Sequence, residues 1–199
     1  SGYAKTQPLD EYREQRRGGQ GKAAAAVKEE DLIQNLYVLS SHMQILCFTT
    51  KGKVFWLKVY EIPVASRASK GRPLVNMLNL DDDESVSDIL PVSEFSDDQF
   101  IFMATRNGTT KKTNLSLFSK KYKSGIKAIN LDENDKLVGT AITSGDNEIL
   151  LASSSGKLIR FNESHVRPMG RTARVVRGIR LKKDEKLISL MIADPEKTI

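Results

Sequence analysis

The feature that most constrains this chain is internal repetition. Three segments open alike: Gln44–Gly52, Phe100–Gly108 and Glu148–Gly156 each run as a short apolar stretch, then a polar turn that closes on glycine. Such a pattern reads as a strand followed by a hairpin turn. A second strand-like piece carrying basic residues follows each glycine, over Val54–Val59, Thr109–Leu115 and Lys157–Phe161. The opening residues, Gly2–Leu9, resemble this second strand with its partner missing. The opening glycines Gly2, Gly52, Gly108 and Gly156 stand 50, 56 and 48 residues apart.

A second glycine recurs in every unit, at Gly21, Gly71, Gly125 and Gly178, offset by 19, 19, 17 and 22 residues from the first. Two more strand-like pieces lie beyond it, clearest as Ile126–Leu131 with Leu137–Thr143 and as Gly178–Leu181 with Leu187–Ala193. Four short strands in about 50 residues is the period of a propeller blade. Helical solenoids need apolar residues at helical spacing, whereas these runs are β-branched and broken by glycine. The longest helix candidate is Ala23–Leu36, and by analogy with the other units Ala23–Val27 is read as a strand. The fold expected is all-β, a propeller-like array of about four four-stranded blades with approximate units 1–40, 41–95, 96–145 and 146–199. The 199 residues form one repeat array, with no long linker dividing it.

Charge is locked to the same period. The connection before each second glycine is basic. Residues 13–22 hold Arg13, Arg16, Arg17 and Lys22 against Glu14; residues 65–72 hold Arg67, Lys70 and Arg72. Residues 119–127 hold Lys120, Lys121, Lys123 and Lys127, and residues 167–177 hold Arg167, Arg171, Arg174 and Arg177. The four windows carry +3, +3, +4 and +4, together +14, in a chain whose net charge is only +6. Acids gather after the second glycine, as in Asp81–Glu84 and Asp132-Glu133, except in the fourth unit, where Lys182, Lys183 and Lys186 outweigh Asp184 and Glu185. A single basic loop is an ordinary solvated surface. Four at one repeat position form a belt on one edge of a stacked array, which suits the evenly spaced phosphates of a curved duplex. Phosphate contacts by Lys and Arg carry no base information, so bending or wrapping is expected rather than base reading. Gly18, Gly19 and Gly21 could bring backbone N–H groups close to phosphates.

Other motifs fail their contexts. Gly19–Ala24 fits the permissive dinucleotide pattern, but the preceding residues 11–17 are highly charged rather than a buried strand. A phosphate-binding P-loop fails because Ala23 follows Lys22. His42 and His165 lie in different repeats with no ligand-forming neighbours, and are read as surface or turn residues. Trp56, beside Phe55, is read as core or interface packing. Tyr12 and Tyr122 sit beside basic loops and are open to either DNA contact or packing. Asp81–Glu84 lacks the spacing and glycine of a calcium loop and is read as a solvated turn. The single Cys47 rules out an internal disulfide and reads as a small core residue. Absent an apolar stretch near the length of a membrane span or a signal-like start, a cytoplasmic setting without membrane association is expected.

Gln15-Arg16-Arg17-Gly18-Gly19-Gln20-Gly21 closely resembles the signature box of the family formed by the C-terminal domains of bacterial DNA gyrase A. That box is usually written Gln-Arg-Arg-Gly-Gly-Lys-Gly, so six of its seven positions match and Gln20 stands where lysine is expected. The resemblance continues through Ile45–Phe48, Gly71–Pro73, Phe102–Thr105, Lys111–Thr113 and Val176–Leu181. It implies a β-pinwheel, a six-bladed propeller-like disc whose blades exchange strands, of which this chain is expected to be a fragment. It also implies a basic perimeter that wraps duplex DNA largely independently of sequence, the box completing a positively handed wrap.

On the same resemblance, the chain serves an ATP-dependent type II topoisomerase that introduces negative supercoils. Its partners are then the remainder of gyrase A, together with gyrase B, in an A2B2 holoenzyme associated with the bacterial chromosome. No catalytic site and no cofactor are expected in this segment; ATP and Mg2+ belong to other domains of such a holoenzyme. Two alternatives stand beside this reading. One is the corresponding domain of topoisomerase IV, whose box is degenerate or absent. The other is a propeller that binds proteins, which would show no basic bias on one edge.

Overall fold

The computed structural model describes residues 2–9, 17, 33–66 and 68–193. Among them all regular structure is strand and short 3-10 turn. The strands in chain order are β1 (Tyr3–Ala4), β2 (Gln44–Thr49), β3 (Lys53–Lys58), β4 (Arg72–Pro73), β5 (Val86–Val92), β6 (Phe100–Thr105), β7 (Thr109–Asn114), β8 (Ile126–Lys127), β9 (Leu137–Thr143), β10 (Glu148–Ser153), β11 (Leu158–Asn162), β12 (Val176–Arg177) and β13 (Leu187–Ala193). Two complete sheets run β5-β2-β3-β8 and β12-β7-β6-β9; a three-stranded sheet runs β11-β10-β13, and β1 pairs with β4. Every pairing between these strands is antiparallel. Ala23–Val27, expected as a strand, lies outside the described residues.

Each of the last three units contributes a hairpin and an inner strand to its own sheet and sends one short strand to the strand or sheet before it. Thus Ile126 and Lys127 pair with Val54 and Lys53, and Val176 and Arg177 pair with Thr110 and Thr109. The blades therefore exchange strands, as the resemblance implies. The inner strands β5, β9 and β13 lie against one another. The exchanged strands β8 and β12 close the opposite edge of their sheets, and so form the perimeter.

The middle strands explain the stacking. Alternate residues of a strand face opposite sides. Ile45 and Cys47 pack into one core with Phe55, Leu57 and Leu74, while Leu46 and Phe48 pack into the next with Ile101 and Met103. Phe102 and Ala104, on the other side of β6, join Ile149 and Leu151 in a third. A strand buried on both faces reads as a continuous apolar run, which is how all three segments read. Cys47 is a fully buried core residue, as expected, and burial pushes its thiol up to about 12.

The structure corrects three details. The piece read as Ile126–Leu131 is a strand only at Ile126–Lys127, because the amides of Ala128 and Ile129 both turn to donate to the Gly52 carbonyl at 2.9 and 3.2 Å. In the fourth unit the short strand precedes Gly178 instead of following it. There Gly178 and Ile179 donate to the Gly108 carbonyl, so Gly178 is the counterpart of Ala128. The true counterpart of Gly125, three residues earlier, is Val175. Gly71 and Gly125 have φ of +83° and +68° and Gly178 has no left-handed φ, so the apparent fourth member of the glycine series is a coincidence of spacing.

The third correction concerns Asp81–Glu84. Glu84 is buried, accepting the Thr49 hydroxyl at 2.5 Å and the Asp81 amide at 3.2 Å, so this turn is anchored and not simply solvated. His42 and His165 are exposed, at turns, as expected.

Candidate nucleic-acid interface

Each described basic loop docks on the outer strand of the preceding unit. Loop 65–72 crosses β1: Thr6 and Val64 form a parallel bridge, and Lys5 Nζ donates to the carbonyls of Ser66 and Ser69 at 2.9 and 2.8 Å. Loop 167–177 crosses β7 in the same way. Lys112 and Pro168 form the equivalent bridge, the Met169 amide donates to the Lys112 carbonyl at 2.9 Å, and Lys111 Nζ donates to the carbonyls of Arg171 and, at 3.3 Å, Ala128. Loop 119–127 crosses β3, where Trp56 Nε1 donates to the Phe118 carbonyl at 2.8 Å and the Phe55 ring fills the space beneath Gly125. All three then enter an exchanged strand, so their cations lie along the perimeter.

Those cations are solvent-facing. Lys70, Arg72, Lys120, Lys121, Lys123, Lys127, Arg167, Arg174 and Arg177 are exposed, with Arg171 half-buried. The ion pairs among the described residues use Lys51, Lys53, Lys112, Lys157 and Arg160. Lys120, Lys121, Lys123, Lys127, Arg167, Arg174 and Arg177 take no part in them. The acids are engaged at the hairpin turns instead. Asp81 lies 3.0 Å from Lys53 and Asp83 pairs with Lys51; both carboxyls are held below their usual range by hydrogen bonds from these lysines. Glu185 accepts from the Lys182 amide and from Lys157, and is lowered likewise, chiefly by the amide. Acid neutralised at the turns and base left open at the edge make the perimeter more positive than the net charge suggests.

Aromatic groups sit within this edge. Tyr122 packs against Trp56 with ring centroids 6.1 Å apart, and Lys120 lies 5.5 Å over the Tyr122 ring. A groove of about 400 Å³ runs between the second and third loops, lined by Trp56, Tyr122, Lys123, Arg72, Asn76 and Met77 among others. Trp56 packs partly buried against the core, in line with the expected core or interface packing, while Tyr122 remains 38% exposed beside it.

Of the box, only Arg17 is described, and it is exposed. Gln15, Arg16, Gly18, Gly19, Gln20 and Gly21, with Arg13, Lys22, Arg67 and Tyr12, lie outside the described residues. Sequence reasoning missed the lysines that hold the loops, Lys111 buried and Lys5 half-buried. The signal was present: Lys5 and Lys111 each stand three residues after an opening glycine. Among the described residues no group of three or more His, Cys, Asp or Glu could hold a metal ion, and no helix is long and apolar enough to cross a membrane.

Comparison with known proteins follows the same four-unit division. Residues 1–40, 44–93, 99–144 and 147–194 match the family described as DNA gyrase C-terminal domain, beta-propeller. The chain is 50% identical over 198 residues to the DNA gyrase A subunit of Salmonella typhimurium, covering 100% of this chain and 23% of that protein. It is 50% identical over 191 residues to the DNA gyrase A subunit of Escherichia coli strain K12, covering 96% of this chain and 22% of the relative. The chain therefore spans less than a quarter of these relatives. A solved C-terminal domain of DNA topoisomerase IV superposes with a TM-score of 0.81 at 27% identity, over 98% of this chain and 59% of that one. With the repeat, the strand exchange and these matches together, the chain belongs to the DNA gyrase C-terminal domain, beta-propeller, family.

Proposed function

We propose that the chain binds duplex DNA along its perimeter and bends it, serving as a wrapping domain within DNA gyrase A. The observation that carries this reading is the recurrence of exposed basic loops, each docked on the outer strand of the preceding blade. An arc of fixed cations rewards a duplex that follows its curvature, because each further phosphate engaged releases condensed counterions. Bending a site of some 20–30 base pairs by 40–90° costs roughly 1–6 kcal/mol, which several such contacts offset. Lys and Arg on an edge read phosphate geometry without regard to sequence.

Within this reading Arg13, Lys22 and Arg67 extend the same belt, and Gln15–Gly21 complete the handed wrap, with one cation fewer at Gln20. Replacing Arg16 and Arg17 by alanine in a full-length enzyme is expected to impair supercoiling more than relaxation. The assembly would be an A2B2 holoenzyme with gyrase B in the bacterial cytoplasm, its ATP and Mg2+ held by other domains. The 50% identity to gyrase proteins, against 27% to the topoisomerase IV domain, favours the gyrase assignment.

The test is binding to unrelated duplexes of equal length as salt is varied. Affinities should agree between sequences, and log K should fall with log salt by about 0.9 for each phosphate engaged. Binding that is flat with salt, or that selects one sequence strongly, would rule the reading out.

A further inference from the structure

Strands β1, β3 and β7 follow the glycines Gly2, Gly52 and Gly108, and the third residue after each glycine faces the loop that crosses the strand. At that position stand Lys5, Phe55 and Lys111. Lys111 is 0% exposed, yet among the described residues its ammonium meets no carboxylate: its acceptors are the carbonyls of Ala128 in its own unit and of Arg171 in the next unit's basic loop. Lys5 reaches the loop before, donating to the carbonyls of Ser66 and Ser69. Where the position is Phe55, the aromatic ring packs under Gly125 and no amine is needed.

A cation buried without an acid is costly to keep, and the cost is visible in Lys111, whose ammonium is pushed down to about 8 by burial and by Arg171. A group that cannot touch a ligand, yet is retained at this cost, acts through what it holds. Here it holds the loop that presents Arg167, Arg174 and Arg177, three exposed guanidiniums. A loop ordered in advance does not spend conformational entropy when a ligand arrives.

We propose that Lys111 is a positioning residue for DNA binding, a buried staple that fixes loop 167–177 in its phosphate-ready form, with Lys5 doing the same for loop 65–72. The inference rests on the perimeter reading above. The isosteric change Lys111→Met keeps the buried volume and removes the donors.

The experiment measures duplex affinity across a salt series together with amide hydrogen exchange, for the wild-type chain, Lys111→Met and Arg174→Ala. Lys111→Met should weaken binding about tenfold. Its salt line should run parallel to wild type, and exchange should quicken within 167–175. Arg174→Ala should instead flatten the slope by about 0.9, the signature of a lost phosphate contact. The staple is overturned if Lys111→Met binds as wild type does, or if its slope flattens by the full single-phosphate amount. If Lys111→Met loses protection throughout the chain, Lys5→Met is decisive, since its amine lies in an exposed setting. Weaker binding with a parallel slope and faster exchange in 65–72 supports the staple, and wild-type behaviour overturns it. Wild-type binding that ignores salt indicts the perimeter reading itself, a failure distinct from any difference between the variants.

Discussion

Glu163 is fully buried between the last two units, and the consequence of altering it follows from its four contacts. Oε1 accepts the amides of Gly145 and Asn147, both at 2.8 Å. Oε2 accepts the Thr143 hydroxyl at 2.7 Å and lies 3.6 Å from Lys112 Nζ, itself 3% exposed. Glu163→Gln keeps one carbonyl for the two amides but turns an NH2 group toward a buried ammonium. The remaining partners of that ammonium are the Glu163 carbonyl at 2.9 Å and the Phe100 ring at 5.1 Å, and neither supplies a negative charge. Stranding one member of a buried pair costs about 3–5 kcal/mol. For a chain of this size that lowers Tm by roughly 10 °C. Adding Lys112→Met removes the stranded charge, so the double variant should recover at least half of the loss. Thermal and urea unfolding of the two single variants and the double complete the cycle. A loss below about 1 kcal/mol for Glu163→Gln, or a double variant no more stable than the worse single, would refute the reasoning.

Lys111 and Cys47 give a pH profile whose shape is set by sign. Above the folded pKa of about 8, native Lys111 has released a proton that the unfolded lysine holds until about 10.5. The unfolded state then binds more protons, and stability rises with pH, by about 1 kcal/mol between pH 7 and 9. From pH 9 the unfolded thiol ionises while buried Cys47 holds its proton to about 12, which offsets the lysine term up to about 10.5, so stability levels off there and falls above it. Urea midpoints across this range check both limbs, and Lys111→Met should abolish the rise. Gly125→Ala would place a methyl 2.7 Å from the Phe55 ring at a φ of +68°, whereas Gly156→Ala, at +78°, meets nothing within 4 Å. Unfolding should show a loss of about 2–4 kcal/mol for the first and about 1 kcal/mol for the second; equal losses would contradict the packing described. Trp56, the one tryptophan, lines the same groove as Arg72 and Lys123 on the proposed DNA path, so its emission should change on duplex binding. Emission that stays constant at saturation would place the path elsewhere.

The fold was legible because its glycines and apolar runs are local signals. Gln44–Gly52 and its two counterparts announce hairpins whose middle strands are buried on both faces. The exchanged strands were harder to read. Two residues, such as Val176 and Arg177, are too few to carry a periodicity, and their register is decided by a partner 66 or more residues away. That is why Gly178 passed as the equivalent of Gly125, although pairing assigns that place to Val175.

The basic loops were visible as charge at a fixed repeat position, yet the lysines that hold them were not. Lys is seldom buried, so nothing in the sequence sets Lys111 apart from the exposed cations; only the sheet shows it beneath the crossing loop. Glu84 is the acidic counterpart. In sequence it ends a charged turn, and in the structure its carboxylate takes the Thr49 hydroxyl at 2.5 Å.

The central claim is that the exposed loops form one perimeter around which DNA bends. Ligation of singly nicked circular DNA with the chain bound, followed by deproteinisation and topoisomer separation, measures that bend as trapped linking number. The account predicts a positive shift that grows with the ratio of protein to DNA and disappears when Arg167, Arg174 and Arg177 are replaced by alanine. Tight binding with an unchanged topoisomer distribution would contradict it, because the duplex would then be held without being wrapped.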